Sequence, residues 1–305
     1  MLEQDQPARQ PSQRLSLPTK RDVALDVPVL DIDLIEFLKL GDCQLQSVIA
    51  EKNSSLGRFA SASIALRQDI DFILLADRCL VKIEDPELQQ TLSSAVEHKL
   101  KYLDVMLWNA IIAGSEYREF WANTRALYPH ISESELQGAL NQLQFQASLV
   151  LTRGDLSEFD PQAFEQALEV LRSGEAGALL SSWTDVAIEL DQASQVVEDR
   201  AKRRPLCFKD MRSQNAEYFR NVVLERFVSG IQKDIAVINQ RYYDLVLPVQ
   251  ELEQLFVHVE TKQYKAYRQA RDSVFVQGLN AVKRHVDALQ PLMVQCGFIP
   301  NASSA

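Results

Sequence analysis

Four cysteines (Cys43, Cys79, Cys207 and Cys296) and four histidines (His98, His130, His258 and His285) are the side chains of this 305-residue chain best suited to thiol chemistry or metal ligation. Zinc sites hold such ligands at short, paired spacings. No cysteines here are paired as CxxC and the histidines are scattered, so no metal and no cofactor is expected. His258-Val259-Glu260 is not a ligand pair, because residues i and i+2 point apart on a helix. Nor does Cys43 read as a lipid-attachment site. Lys39 interrupts the apolar run before it, and Asp42 stands where a small residue is needed. Four buried thiols or two disulfides remain. Free cysteines are commonly buried, so composition leaves both open, while an even count with one pair in each half leans towards bridges. A Cys43–Cys79 bridge would tie the start of one helix to the end of a later element. In the chain-entropy model it would be worth on the order of 4 kcal/mol, and a Cys207–Cys296 bridge slightly more.

The polar knot Asn53-Ser54-Ser55 is the second candidate for chemistry. A functional reading gathers Glu51, Asn53, Ser54, Arg58 and Arg67 at a helix end. Trp108 and Asn109 from a later helix would complete the polar pocket. The structural reading, which is preferred, makes the knot a helix terminus whose orphan backbone groups are met by Asn and Ser side chains before Gly57. Asn53 lies four residues after Ile49 and is expected to be half-buried. Asn109 then makes a buried hydrogen bond between packed helices. Ser54 lies in no GxSxG or SxxK context, and GxGxxG, the P-loop and HExxH are absent, so no catalytic residue is assigned. Glu97-His98-Lys99 reads as a solvated face.

These residues must be positioned by helices. Only 10 Gly and 11 Pro occur, too few for the turns of an all-β chain of this length. A helical pattern begins at Asp31 and stops at Gly41. Leu45, Val48, Ile49, Lys52 and Leu56 form the stripe of the next helix, four of the five apolar. A third runs from about Ser61 to Val81 and is apolar over much of its surface. Asp85-Pro86 then supplies an N-cap and a first-turn proline for a long helix closing at Gly114. A short aromatic piece holds Tyr117, Phe120 and Trp121. Further starts follow at Ser132-x-x-Glu135, a capping box, and at Asp160-Pro161. Another helix ends in the basic run Arg200 to Arg204, read as a solvated terminus where cations suit the dipole. Two long helices fill the final third, about Asn215 to Leu245 and Lys262 to Gln295, joined through Pro248. The expectation is an all-α, bundle-like array of roughly eight or nine helices. Its parts are a flexible leader over 1–21, an N-terminal helical part over 22–154 and a C-terminal part over 155–300, the last two forming one continuous helical domain.

Lys plus Arg total 32 and Asp plus Glu 42, a net charge of -10. That balance argues against nucleic-acid binding, which needs a concentrated basic footprint. No run of about 18 apolar residues is present to cross a membrane. Met1 to Lys20 is polar and lacks the apolar region of a signal peptide.

Five pieces carry a resemblance: Leu38-Lys39-Leu40-Gly41-Asp42-Cys43, Glu51 to Arg58, Cys79 after its apolar helix, Trp108-Asn109, and Cys296-Gly297-Phe298-Ile299-Pro300. Over about Arg21 to Pro300 the chain is similar to an uncharacterised gammaproteobacterial family of unknown function, many of whose members are predicted lipoproteins. The resemblance implies two disulfides, Cys43–Cys79 and Cys207–Cys296, and a periplasmic location. A lipid anchor would require a native start upstream of Met1. The resemblance supplies no activity. The resulting expectation is a non-enzymatic cell-envelope binding or assembly factor whose partner is an unidentified protein or envelope component. The alternatives are an enzyme with a small polar site near Glu51, Asn53, Arg58 and Asn109, or a cytosolic helical regulator.

Overall fold

The computed structural model describes residues 15–28, 43–122, 133–203, 205–208 and 211–299. The chain is all-α, with two intrachain disulfides. A single turn, α1 (Lys20–Val23), precedes an extended stretch to Pro28. Then come α2 (Leu45–Asn53), α3 (Ala62–Leu80), α4 (Pro86–Lys101), α5 (Leu103–Ile111) and α6 (Ser115–Ala122). The starts are set by side chains. Ser61 accepts from the Ile64 N–H (3.3 Å), and Asp85 accepts from the Glu87 N–H (3.0 Å) just ahead of Pro86. Cys43, just before α2, is joined to Cys79 near the end of α3, with Cα atoms 5.9 Å apart. The helix expected over 31–41 and the capping-box serine Ser132 lie outside the described residues. Of the leader, residues 1–14 also lie outside them, and Leu15 and Leu17 pack on the core.

The second half comprises α7 (Glu133–Leu151), α8 (Pro161–Leu171), α9 (Glu175–Ala201), α10 (Gln214–Val222), α11 (Gln232–Arg241), α12 (Leu247–Gln254) and α13 (Lys262–Gln295). A two-stranded ribbon pairs β1 (Cys207–Phe208) with β2 (Met211–Arg212), antiparallel. From β1, Cys207 is bonded to Cys296 at the end of α13, with Cα atoms 5.2 Å apart. Asp160 caps α8 through the N–H groups of Gln162 and Ala163, both at 3.0 Å. The buried apolar side chains form one connected cluster that reaches from Val23 to Cys296.

Two boundaries differ from the sequence reading. The long helix expected from Pro86 to Gly114 breaks at Tyr102 (φ −106°, ψ 11°) into α4 and α5. There the Tyr102 N–H is shared between the carbonyls of His98 (3.3 Å) and Lys99 (3.2 Å), so the last turn tightens before the ladder restarts. Pro248, expected to end the penultimate helix, instead lies inside one helical run over 214–254. Proline lacks an N–H, and its ring crowds the carbonyl four residues back. The π-helical segment Tyr242–Val246 immediately precedes α12, and its wider turn leaves room for the ring. A second π segment, Val223–Ile231, separates α10 from α11.

Helices α9 and α13 pack along their lengths. Gly278 sits under Trp183, Arg284 binds Asp191 (2.6 Å) and His285 meets Ser194 (3.1 Å), so the contacts advance together and the two helices run parallel. A Cβ at Gly278 would overlap the Trp183 indole. Where α13 meets α6 and α12, a charged pair is fully enclosed. Arg271 donates to both oxygens of Glu253 (2.6 and 2.8 Å), and its guanidinium lies 4.5 Å from the Trp121 ring centroid. Glu253 Oε1 also accepts from the hydroxyls of Tyr117 (2.5 Å) and Tyr264. Burial pushes Glu253 up, but Arg271 and the two hydroxyls outweigh it and hold the carboxyl below its ordinary value. Burial, and then the charge of Glu253, push Tyr117 and Tyr264 well above theirs, so both remain donors.

Gly278→Ala is expected to lower stability by about 1–3 kcal/mol, the cost of overpacking a close helix contact, as read by urea unfolding. Arg271→Met leaves Glu253 buried without its cation and is expected to cost about 3–5 kcal/mol. Adding Glu253→Gln should restore part of that loss, since the two sites share one interaction. Because the folded pKa of Glu253 lies below its unfolded value, the pair's contribution is present above about pH 4.3 and fades as pH falls through the folded value. Acid unfolding of the double variant should accordingly be less steep than that of the wild type.

Candidate functional site

Between α2, α3, α4, α5 and the extended Val27-Pro28 stretch lies a cavity of about 420 Å³. That is within the range of roughly 300–1,000 Å³ typical of small-molecule sites. Helical spacing explains its walls. Ala62, Ala65, Asp69 and Phe72 recur at three- and four-residue steps on α3, and Gln68 lies beside them. Tyr102, Met106 and Asn109 do the same through the α4–α5 break, with His98 one turn earlier. Val48, Ile49, Lys52 and Asn53 close the α2 side.

Asp69 is the charged centre of the cavity. It is buried, and one of its oxygens, Oδ1, accepts from both Lys52 and Lys99. Lys99 also stands 4.7 Å from the Phe72 ring centroid, a cation–π contact. Burial lowers the pKa of Lys99, Asp69 partly offsets that and Lys52 adds to it; the net shift is downward. Gln68 is buried too. Its Nε2 donates to Glu51 (3.2 Å), while its Oε1 meets no donor among the described residues. Two ammonium groups thus face one carboxylate in a chain whose net charge is -10. The arrangement can hold a negative group.

The residues singled out from sequence divide around this cavity. Asn53 and Asn109 both line it. Asn53 is exposed, not half-buried as expected, because α2 stops at that residue and Leu56, counted on its apolar stripe, also faces solvent. Ser54 closes the helix end: its hydroxyl donates to the Glu51 carbonyl (2.7 Å) and accepts from the Gly57 N–H (3.0 Å). A Cβ at Gly57 would overlap the Glu51 carbonyl oxygen, so the turn needs glycine there. Glu51 and Arg67 pair at 3.0 Å on the surface beside the cavity. The Arg58 side chain lies outside the described residues. Trp108 is buried, and its Nε1 donates to the Val23 carbonyl (2.8 Å). Asn109 accepts from the Leu25 N–H (2.9 Å) and donates to the Leu25 carbonyl (2.7 Å). Its partner is therefore the extended N-terminal stretch, not a neighbouring helix, because a side-chain amide can pair with an extended backbone as a second strand would.

Sequence reasoning missed Asp69, Gln68 and Lys99. Asp69 lies three residues after Leu66 on the buried face of α3, and a carboxylate there needs partners. Lys52 interrupts the α2 stripe in the same way. Glu97-His98-Lys99 is not a solvated face as a whole: Glu97 is exposed, whereas His98 and Lys99 are half-buried and line the cavity.

Among the described residues, no group of histidine, cysteine, aspartate and glutamate is placed to hold a metal ion, and no helix is long and apolar enough to cross a membrane. Asn109→Leu removes both bonds to Leu25 while keeping side-chain size. It is expected to cost about 1–3 kcal/mol and to speed amide exchange at Leu25 and its neighbours, measured by hydrogen–deuterium exchange.

Among curated proteins and among solved structures, none matches the chain. The family model described as "Protein of unknown function (DUF3080)" matches residues 1–300, and the chain belongs to that family.

Proposed function

We propose that this chain is a non-enzymatic binding protein of the bacterial cell envelope, working in the periplasm, and that it takes a small ligand into the α2–α5 cavity. The observation that carries the binding reading is the cavity itself, of about 420 Å³, with apolar walls around a buried carboxylate shared by two lysines. Three of the polar side chains at or beside it are committed to structure. Asn109 ties down Leu25, Ser54 caps α2, and Glu51 pairs with Arg67. Such a set supports holding a ligand in place over activating a nucleophile. Two disulfides support an oxidising compartment, since they persist in the periplasm and are rare in the cytosol.

Nile red, a neutral amphiphile whose emission rises in apolar surroundings, tests the binding reading. It is expected to bind with one-to-one stoichiometry, and Ala65→Phe, which fills the cavity from α3, should abolish the signal. Equal binding by wild type and variant would place the dye elsewhere and overturn the assignment. Thiol titration of denatured protein taken from the native host tests the compartment: no free thiol is expected, and four would overturn it.

A further inference from the structure

We propose that the cavity selects an amphipathic anion, a single apolar chain ending in a carboxylate or phosphate, with the charged end held at Lys52 and Lys99 and the chain laid along the apolar wall. The inference rests on the binding reading above and deepens it. Three observations carry it.

The first is the charge count. Lys52 and Lys99 bring two positive charges to the same carboxylate oxygen of Asp69. Asp69 is the carboxylate among the lining side chains; Glu51 and Asp71 lie outside the lining, and both interact with Arg67. Among the lining side chains the two lysines therefore outnumber the carboxylate, in a place partly withdrawn from water, where Coulomb terms exceed their value in bulk solvent. An acidic chain would shed such an excess on its own surface. Here the fold gathers it from two helices whose paired residues are 17 and 30 positions from Asp69.

The second is donor capacity. An ammonium group has three N–H donors. Asp69 is the hydrogen-bond acceptor that each of these two meets among the described residues. An anion placed beside Asp69 would take up the remaining donors and relieve the repulsion between the two lysines. Asp69 itself repels that anion, but one negative charge against two positive ones leaves net attraction. Gln68 Oε1 adds an uncommitted acceptor suited to a hydroxyl on the same head group.

The third is the apolar lining. Val27, Pro28, Val48, Ile49, Phe72 and Met106 offer no charge, and among the cavity-lining atoms apolar surface predominates. A bare inorganic anion would leave that lining wet. A neutral lipid would leave the lysines unanswered. A molecule with one charged end and one apolar end meets both.

The test is competition against Nile red by four probes: decanoate, decyl phosphate, decanol and inorganic phosphate. Decanoate and decyl phosphate are expected to displace the dye, and whichever is tighter identifies the head group. Decanol is expected to bind more weakly by about tenfold or more, the worth of one charge-assisted hydrogen bond, and inorganic phosphate, which lacks the apolar chain, by about tenfold or more as well. Lys52→Met should weaken decanoate by a similar factor and leave decanol unchanged. Lys52 is half-exposed, so this variant is expected to fold, and Lys52→Arg should retain the preference. Equal affinity for decanol and decanoate would overturn the anion assignment and leave the binding reading intact. Inorganic phosphate binding as tightly as the ten-carbon probes would overturn the amphipathic part. If Nile red itself fails to bind the cavity, the binding reading fails first, and this inference with it.

Discussion

The enclosed pair Glu253–Arg271 is the interaction on which the rest of the molecule depends. Both side chains are buried, so neither charge can be answered by water; Glu253 is answered by Arg271, and Arg271 by Glu253 together with the neighbouring Asp272 (2.7 Å). Arg271 comes from α13, Glu253 from α12, and Tyr117 from α6, so the pair fixes three elements with one set of directional bonds. Its reach extends to the cavity. Tyr264, which donates to Glu253, packs edge-on against Trp108, with ring centroids 5.2 Å apart and planes at 89°. Trp108 holds the Val23 carbonyl, and its neighbour Asn109 holds Leu25. Val27 and Pro28, which form one wall of the cavity, are thus anchored to the centre of the protein in a few bonded steps. Dispersion alone would let an extended stretch slide; hydrogen bonds to two consecutive side chains set its register.

The seam between α9 and α13 follows the same logic. Two long parallel helices with apolar faces could pack in several registers, since one leucine row resembles the next. Buried polar groups remove that freedom. The Ser194 hydroxyl spends its one hydrogen on the Leu190 carbonyl (2.6 Å), so at 3.1 Å the donor between it and His285 is Nδ1. Burial holds His285 below its ordinary pKa, favouring the neutral ring, and the Ser194 oxygen then selects the tautomer that carries its hydrogen on Nδ1. The Phe227 ring, from the π segment Val223–Ile231, lies 4.7 Å from the imidazole. At the other end of α9, Glu175 pairs with Arg241 at 3.1 Å, immediately before the π segment Tyr242–Val246. Each wide turn of the 214–254 helix therefore faces a buried polar group. Widening a turn shifts the side chains that follow it around the axis, which lets one continuous helix meet both groups.

Local signals were legible in the sequence and long-range ones were not. Asp85-Pro86 and Asp160-Pro161 announce helix starts because capping is settled within a few residues. The apolar stripe of α4 and α5 is equally plain, since burial of Leu88, Leu92, Leu103 and Leu107 follows the helical period. The break at Tyr102 is invisible to that period, because a slight tightening leaves the stripe continuous. Pro248 misled for the opposite reason: proline breaks an α-helix, but a preceding π turn removes the clash. At the cavity, Asn53 and Asn109 could be picked out as polar residues beside apolar stripes. Asp69, Lys52 and Lys99 could be paired only once three helices were folded against one another.

The position of the first disulfide bears on how the cavity can exchange partners. Helix α2 spans nine residues, and in isolation a helix shorter than about 12–15 residues is marginal in water. It must be held against α3 from outside, and it is held at both ends. Cys43–Cys79 clips its start to the end of α3. Glu51–Arg67 and Lys52–Asp69 clip its end to the first half of α3. The first clip is covalent and indifferent to ligand. The second is ionic and uses the same lysine and carboxylate that face the cavity. An anion arriving at Lys52 and Lys99 redistributes the ionic clip while the covalent one stays fixed, so α2 remains seated on α3 through the exchange. A cavity wall made from so short a helix can therefore serve as a binding surface because its far end is bonded to the core.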